Sequence, residues 1–277
     1  MSKTIERNIK LGLLAIFVII FAYATFNDLA ISKVVVNETN IFGQVMEDIT
    51  AVPFAYTLLL SGCIALGTCK KGKGAKEIVI TILCGIYYLV SIALSSLMVY
   101  AYLPIWTLVI HLVGVILLTI FAFRIDESEK KNWQKIAIVC GIVSIGSVLI
   151  IESLKLIWGR VRPRALDGRD ELFTTWFTIN GKKFLSFVHE AEEIKSFPSG
   201  HSQWGAVALC YSLIPLASKK FKGQDFKFMM ICLAWGVLVM LGRISVGAHF
   251  VTDAMAGFSI TALLFILVRS LVFRKNN

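Results

Sequence analysis

Seven long stretches of this chain contain no Asp, Glu, Lys or Arg: 11–27, 49–69, 78–123, 136–151, 202–218, 228–242 and 254–268. A helix crosses the hydrocarbon core of a bilayer with about 20 apolar residues, so each stretch suits one crossing, and the 46 residues of 78–123 suit two. Pro104 divides that run. A proline is tolerated in a first helical turn, where its missing N–H would lack a partner anyway, which predicts one helix ending near Tyr102 and another starting at Pro104. Eight spans follow. They are helical, because lipid offers the backbone no hydrogen-bond partner and the alternating segments of a barrel are absent. At 57% hydrophobic the chain is too apolar for a soluble domain of its 277 residues. The expected fold is all-α, a polytopic transmembrane bundle of about eight spans. Residues 1–130 form an N-terminal group of about four, and 131–277 a second group with an insert at 164–197.

The basic residues predict an orientation. With the N-terminus inside, the cytoplasmic segments hold 18 of the 28 Lys and Arg, among them Lys3, Lys70, Lys71, Lys130, Lys131, Lys219 and Lys275, as the positive-inside rule requires. Both termini are then cytoplasmic and the protein sits in the cell membrane. The outer side is poor in positive charge except in two segments, which contain Lys155, Arg160, Arg162, Arg164, Arg169, Lys182, Lys183, Lys195 and Arg243. The net charge of +10 therefore comes from anchoring and from this outer cluster, and nucleic acid is not an expected partner. The N-terminal Ala22-Tyr23-Ala24 has the form of a signal-peptide cleavage site, but the preceding apolar stretch is nearly long enough to span and is read as the first helix. The six cysteines lie in or at the ends of apolar runs without CxxC spacing and read as helix-packing residues.

Three short stretches carry chemistry. In the first, Lys155 to Arg162-Pro163, the two basic residues are seven apart, two helical turns, which places them on one face of the fifth span as it leaves the membrane. In the second, Phe197-Pro198-Ser199-Gly200-His201, Ser199 is a helix cap and the free N–H groups of Gly200 and His201 form an anion site. In the third, Arg243 to His249 to Asp253, the histidine and the carboxylate stand at i and i+4. On a helix the carboxylate would accept one ring N–H and leave the other nitrogen free to attack. The last three apolar runs reach spanning length only with their flanks, so these groups are expected at headgroup depth on the outer face.

Together these stretches resemble the type-2 phosphatidic acid phosphatase superfamily, whose pattern is Lys-x6-Arg-Pro, then Pro-Ser-Gly-His, then Ser-Arg-x5-His-x3-Asp. The resemblance covers about residues 155–253, and all three motifs appear in order. It implies a family-type helical catalytic core, with His249 as a nucleophile that forms a phosphohistidine, Asp253 as the group that orients it, and His201 as the acid for the leaving oxygen. Lys155, Arg162 and Arg243, with the Ser199 hydroxyl and the Gly200 amide, would hold the phosphoryl oxygens. No metal and no cofactor is implied. One departure is visible: Gly242 stands where the family has serine, a secondary phosphate contact, so rate or substrate is affected rather than the chemistry itself.

Other polar residues take plainer readings. Arg160 and Arg164 are read as solvated or headgroup-facing, with substrate contact as the alternative; Glu152 as a partner of Lys155; His111 as a helix-packing hydrogen bond; His189 as exposed. The insert, with Trp176, Phe177, Phe184 and Phe187 among acids, is either an amphipathic cap over the site or a connecting loop. The leading function is a membrane lipid phosphatase acting on phosphatidic acid, phosphatidylglycerophosphate or a polyprenyl diphosphate. Its alternatives are a lipid phosphotransferase using the same phosphohistidine, and a non-catalytic transporter or scaffold. A soluble vanadium-dependent haloperoxidase shares the same motif, but the eight spans argue strongly against it.

Overall fold

The computed structural model describes residues 3–70 and 72–274; Lys71 and Lys275, counted above among the cytoplasmic basic residues, lie outside the described residues, as does the side chain of Lys3. The helices are α1 (Lys3–Val35), α2 (Ile41–Thr68), α3 (Ala75–Tyr102), α4 (Thr107–Phe123), α5 (Glu127–Trp158), α6 (Gly200–Val207), α7 (Ile214–Ala217), α8 (Asp225–Ser245) and α9 (Val251–Val272). No strand occurs among the described residues. Six of these helices are long and apolar enough to cross a membrane. α4, with 17 residues, is a shorter apolar helix, and the remaining expected span is built from α6, a 3-10 stretch Ala208–Leu213 and α7. The chain is a multi-pass helical membrane protein.

α3 ends at Tyr102 as Pro104 predicts, but α4 starts later than expected, at Thr107. Pro104 instead opens a turn whose carbonyl accepts the Thr107 N–H at 2.8 Å. α2 is the hub and packs on α3, α4, α5, α6 and α8. Its interior Pro53 removes one backbone donor, and the Pro53 carbonyl accepts hydroxyl donors from Thr57 (2.7 Å) and Tyr211 (2.9 Å).

α2 meets α8 at close range because both carry glycine there. A side chain on Gly43 would overlap Val246 and Ser245, and one on Gly242 would overlap Met46. The core joins α2, α5, α6, α8 and α9 through buried residues such as Ile64, Ile136, Val143, Val207 and Phe265. The outward flanks of α1, α3 and α4 keep large apolar side chains exposed, as lipid-facing helices do.

The insert is not an amphipathic helix. It is a run of short 3-10 turns whose Leu166, Leu172, Phe184 and Ile194 bury against Val161 and Phe250, giving it a small core of its own. His189 is exposed, and His111 is buried with Nε2 3.3 Å from Ser95 Oγ, both as expected. The six cysteines are free thiols.

Candidate active site

Each motif residue is delivered by a helix end. α5 stops at Trp158 because Gly159 turns left-handed at φ +60, and a side chain there would strike the backbone of Gly181. Arg162 therefore does not extend the face of α5 on which Lys155 lies, contrary to the two-turn expectation. It sits in an extended stretch whose N–H donates to the Glu193 carbonyl at 2.8 Å. Both cations nevertheless reach the same place: Lys155, Arg162 and Arg243 all act electrostatically on both His201 and His249.

Ser199 caps α6, its hydroxyl accepting the Ser202 N–H at 3.2 Å, and its own N–H donates to the Asp253 carbonyl at 3.0 Å. Gly200 has no side chain where the Lys155 ammonium lies, 2.8 Å from the position a Cβ would take. Gly257 performs the same service for α9, which presses on the Ser199 backbone. His201 packs edge-on to Tyr102, and its Nε2 is buried without a hydrogen-bond partner among the described residues.

His249 lies in the link between α8 and α9. Its Nδ1 is 2.6 Å from the Ser196 main-chain carbonyl, so Nδ1 carries the proton and Nε2 keeps its lone pair. Among the described residues no hydrogen bond or ion pair joins Asp253 to the ring. α9 begins at Val251, after His249, so the i and i+4 relation never forms on one helix. The Asp253 carboxylate instead accepts from Ser196 Oγ (2.6 Å), the Phe250 N–H (2.9 Å) and Arg160 (2.5 Å). Burial, with Arg162, Arg243 and Lys155 around it, holds the His249 pKa well below the usual histidine value, and the Ser196 bond opposes this only in part.

Arg160 overturns its surface reading. Its side chain is 0% exposed, lies 4.2 Å from the centroid of Phe250, and ion-pairs with both Asp253 and Asp28 of α1. Arg164 forks onto Glu193 at 2.7 and 3.2 Å and is half-buried.

All three site cations carry a carboxylate. Lys155 pairs with Glu152 at 2.7 Å, as expected from their spacing, Arg162 lies 3.9 Å from Glu193, and the buried Arg243 pairs with Glu47 of α2. Sequence reasoning missed Asp28 and Glu47. Each is an acid at the edge of an apolar run, which was the available signal.

Fold and site together define a polytopic membrane protein whose helix ends hold two histidines among three buried or half-buried cations, an arrangement suited to a tetrahedral oxyanion. The PAP2 superfamily model matches residues 134–277, slightly more than half of the sequence, and the chain belongs to that superfamily. Phosphatidylglycerophosphatase B of Bacillus subtilis (strain 168) is 36% identical over 106 residues, which are 36% of this chain and 49% of that protein. The chain thus matches about half the length of this curated relative. No solved structure matches.

Proposed function

We propose that the protein is a lipid phosphatase that cleaves a phosphate monoester or diphosphate through a phosphohistidine on His249. The observation that carries this reading is the Nδ1 contact of His249 with the Ser196 carbonyl, which leaves Nε2 as a nucleophile among Lys155, Arg162 and Arg243. Nε2 attacks phosphorus, the bond from phosphorus to the lipid oxygen breaks, and His201 gives that oxygen its proton. Water then attacks phosphorus and gives a proton to His201 while the phosphorus–nitrogen bond breaks, freeing His249 Nε2 and releasing inorganic phosphate. The three cations, with the Gly200 amide and the Ser199 hydroxyl, stabilise the equatorial oxygens in place of a metal. A phosphate dianion also offsets the repulsion between those cations and an imidazolium at His201.

Lipid is the expected substrate because the site lies at helix ends, where a tail stays in the bilayer while its phosphate enters the cluster. The B. subtilis relative bears the name of an enzyme for phosphatidylglycerophosphate, which makes that lipid the first candidate. The cytoplasmic placement of both termini and the outward-facing site remain part of this reading, supported by the basic loops at the opposite helix ends. The test is phosphate release, with EDTA present, from phosphatidylglycerophosphate, phosphatidic acid and a polyprenyl diphosphate by wild type, His249→Ala and His201→Ala. Release by wild type that vanishes in His249→Ala supports the reading, and release that survives in His249→Ala, or needs metal, overturns it.

A further inference from the structure

A groove of about 850 Å³ opens between α2, α3 and α5, lined by apolar groups such as Ala65, Ile80, Ile142 and Leu149. At the end nearest the α4–α5 turn it runs into a second depression of about 750 Å³, and the two share Thr68, Cys69, Lys70 and Gln134. The second depression is lined by Lys130 and Lys131 as well. Lys130 is paired with Glu127 at 2.6 Å, whereas Lys70 and Lys131 are exposed and make no ion pair among the described residues. The feature is therefore an apolar slot with a cationic mouth.

Its dimensions and position limit what fits. α5 lines the slot from Gln134 to Leu149, which is about 22 Å at 1.5 Å per residue. That exceeds the roughly 15 Å depth of one leaflet of the hydrocarbon core, so a whole acyl chain is accommodated. The mouth is at the Gln134 end of α5, and Lys155 is about 31 Å away along the same helix, at the other membrane face. A lipid whose headgroup sits at the mouth is thus distinct from one whose phosphate enters the histidine cluster.

We infer that this groove is a binding site for a phospholipid with an anionic headgroup, drawn from the leaflet opposite the histidine cluster. The acyl chain fills the slot between α3 and α5, and the headgroup rests on Lys70 and Lys131. Each basic side chain near a membrane surface strengthens attraction to an anionic lipid by about fivefold, so the pair contributes about 25-fold over a zwitterionic headgroup.

The groove contains its own reporters. Cys69 and Cys84 line it and are half-buried, while Cys63, Cys140, Cys210 and Cys232 are buried elsewhere and serve as internal controls. The experiment is N-ethylmaleimide labelling of the full chain in neutral detergent, read by mass spectrometry at each cysteine, with dioleoyl phosphatidylglycerol or dioleoyl phosphatidylcholine added. Phosphatidylglycerol at about ten times its Kd should slow labelling of Cys69 and Cys84 about tenfold, and phosphatidylcholine at the same concentration far less. The protection should disappear in Lys70→Glu/Lys131→Glu, or in the milder Lys70→Gln/Lys131→Gln should the first not fold. Equal protection by both lipids would mean a slot without headgroup recognition and would overturn the inference. So would protection that survives both variants, which would assign the slot to a lipid held from the histidine side, and so would no protection at all.

Discussion

His249 Nδ1 lies 2.6 Å from the main-chain oxygen of Ser196, while the carboxylate of Asp253, four residues on, bonds Ser196 Oγ instead of the imidazole. Asp253 is therefore a positioning residue that acts through the Ser196 segment and the start of α9. Ser196→Ala keeps the carbonyl that holds the ring, so its kcat should fall by no more than about tenfold. His249→Ala should fall to background. Asp253→Asn leaves Arg160 with only Asp28 as an anionic partner, and should lower the unfolding temperature more than Ser196→Ala does. Steady-state kinetics beside thermal unfolding of the three variants checks this; equal loss of activity in Ser196→Ala and His249→Ala would refute the arrangement.

The depressed pKa of His249 gives a pH dependence with a defined sign. The folded state refuses a proton that the unfolded chain accepts near pH 6.5, so this group's contribution to stability is present above that pH and is lost as pH falls below it. The nucleophile likewise stays neutral, and the acid limb of kcat/KM that reports it should lie below 6.5. Arg162→Ala removes one of the cations that depress it, so the limb should move to higher pH. Comparing profiles of wild type and variant on one substrate cancels the ionisation of the substrate itself. An unmoved limb would show that Arg162 does not act on His249.

Glu47 competes for Arg243. The guanidinium is buried and ion-pairs, among the described residues, with that carboxylate alone, which itself is 35% exposed. An entering phosphate must share or displace it. Glu47→Gln should therefore tighten inhibition by inorganic phosphate or vanadate about five- to tenfold, since one competing charge is gone. Inhibition constants at fixed ionic strength decide this. Weaker inhibition would mean that Glu47 orients Arg243 for the phosphate rather than opposing it.

Gly242 occupies the position of a family serine, and the structure supplies a reason. A Cβ there would lie 2.5 Å from Met46 Cβ, in the contact where α2 meets α8. Gly242→Ser should lower the unfolding temperature and yield no gain in rate, because overpacking in such a contact costs about 1–3 kcal/mol. Combining it with Met46→Gly, which removes the Cβ that the serine would strike, should recover much of the overpacking loss, so the double-mutant cycle should show strong coupling. Additive effects would show that the two helices separate easily.

The spans were legible in the sequence because charge at membrane depth is expensive and falls between the apolar runs, while the α3–α4 turn, which carries no charge, is marked by Pro104 instead. The site residues were legible because three spaced motifs occur together. Geometry inside those motifs was less so. Nothing in the spacing of Lys155 and Arg162 announces that Gly159 ends the helix between them, and an i and i+4 pair at His249 and Asp253 presupposes a helix that begins two residues too late. The partners from α1 and α2, Asp28 and Glu47, are separated from the motifs by more than 100 residues, and only tertiary packing brings them near. Arg160 was misjudged for the same reason, since an arginine in a charged segment looks solvated until its two carboxylates are known.

Arg160 supports the final prediction. Its guanidinium binds Asp253 at 2.5 Å, Asp28 at 3.0 Å, the Thr252 hydroxyl at 3.0 Å and the Thr174 carbonyl at 2.8 Å. It thereby ties α1, the insert and α9 into one cluster beneath His249. Replacing it by methionine leaves two buried carboxylates without a counter-charge, and breaking a buried pair from one side costs about 3–5 kcal/mol. Arg164, half-buried on Glu193 alone, should lose less than about 1 kcal/mol on the same change. Arg160→Met should thus unfold at a much lower temperature than Arg164→Met, and Arg160→Met with Asp28→Leu and Asp253→Asn should regain stability without regaining activity. That separation of stability from activity is what a positioning hub predicts. A residue that touched phosphate directly would instead lower activity while leaving the unfolding temperature in place.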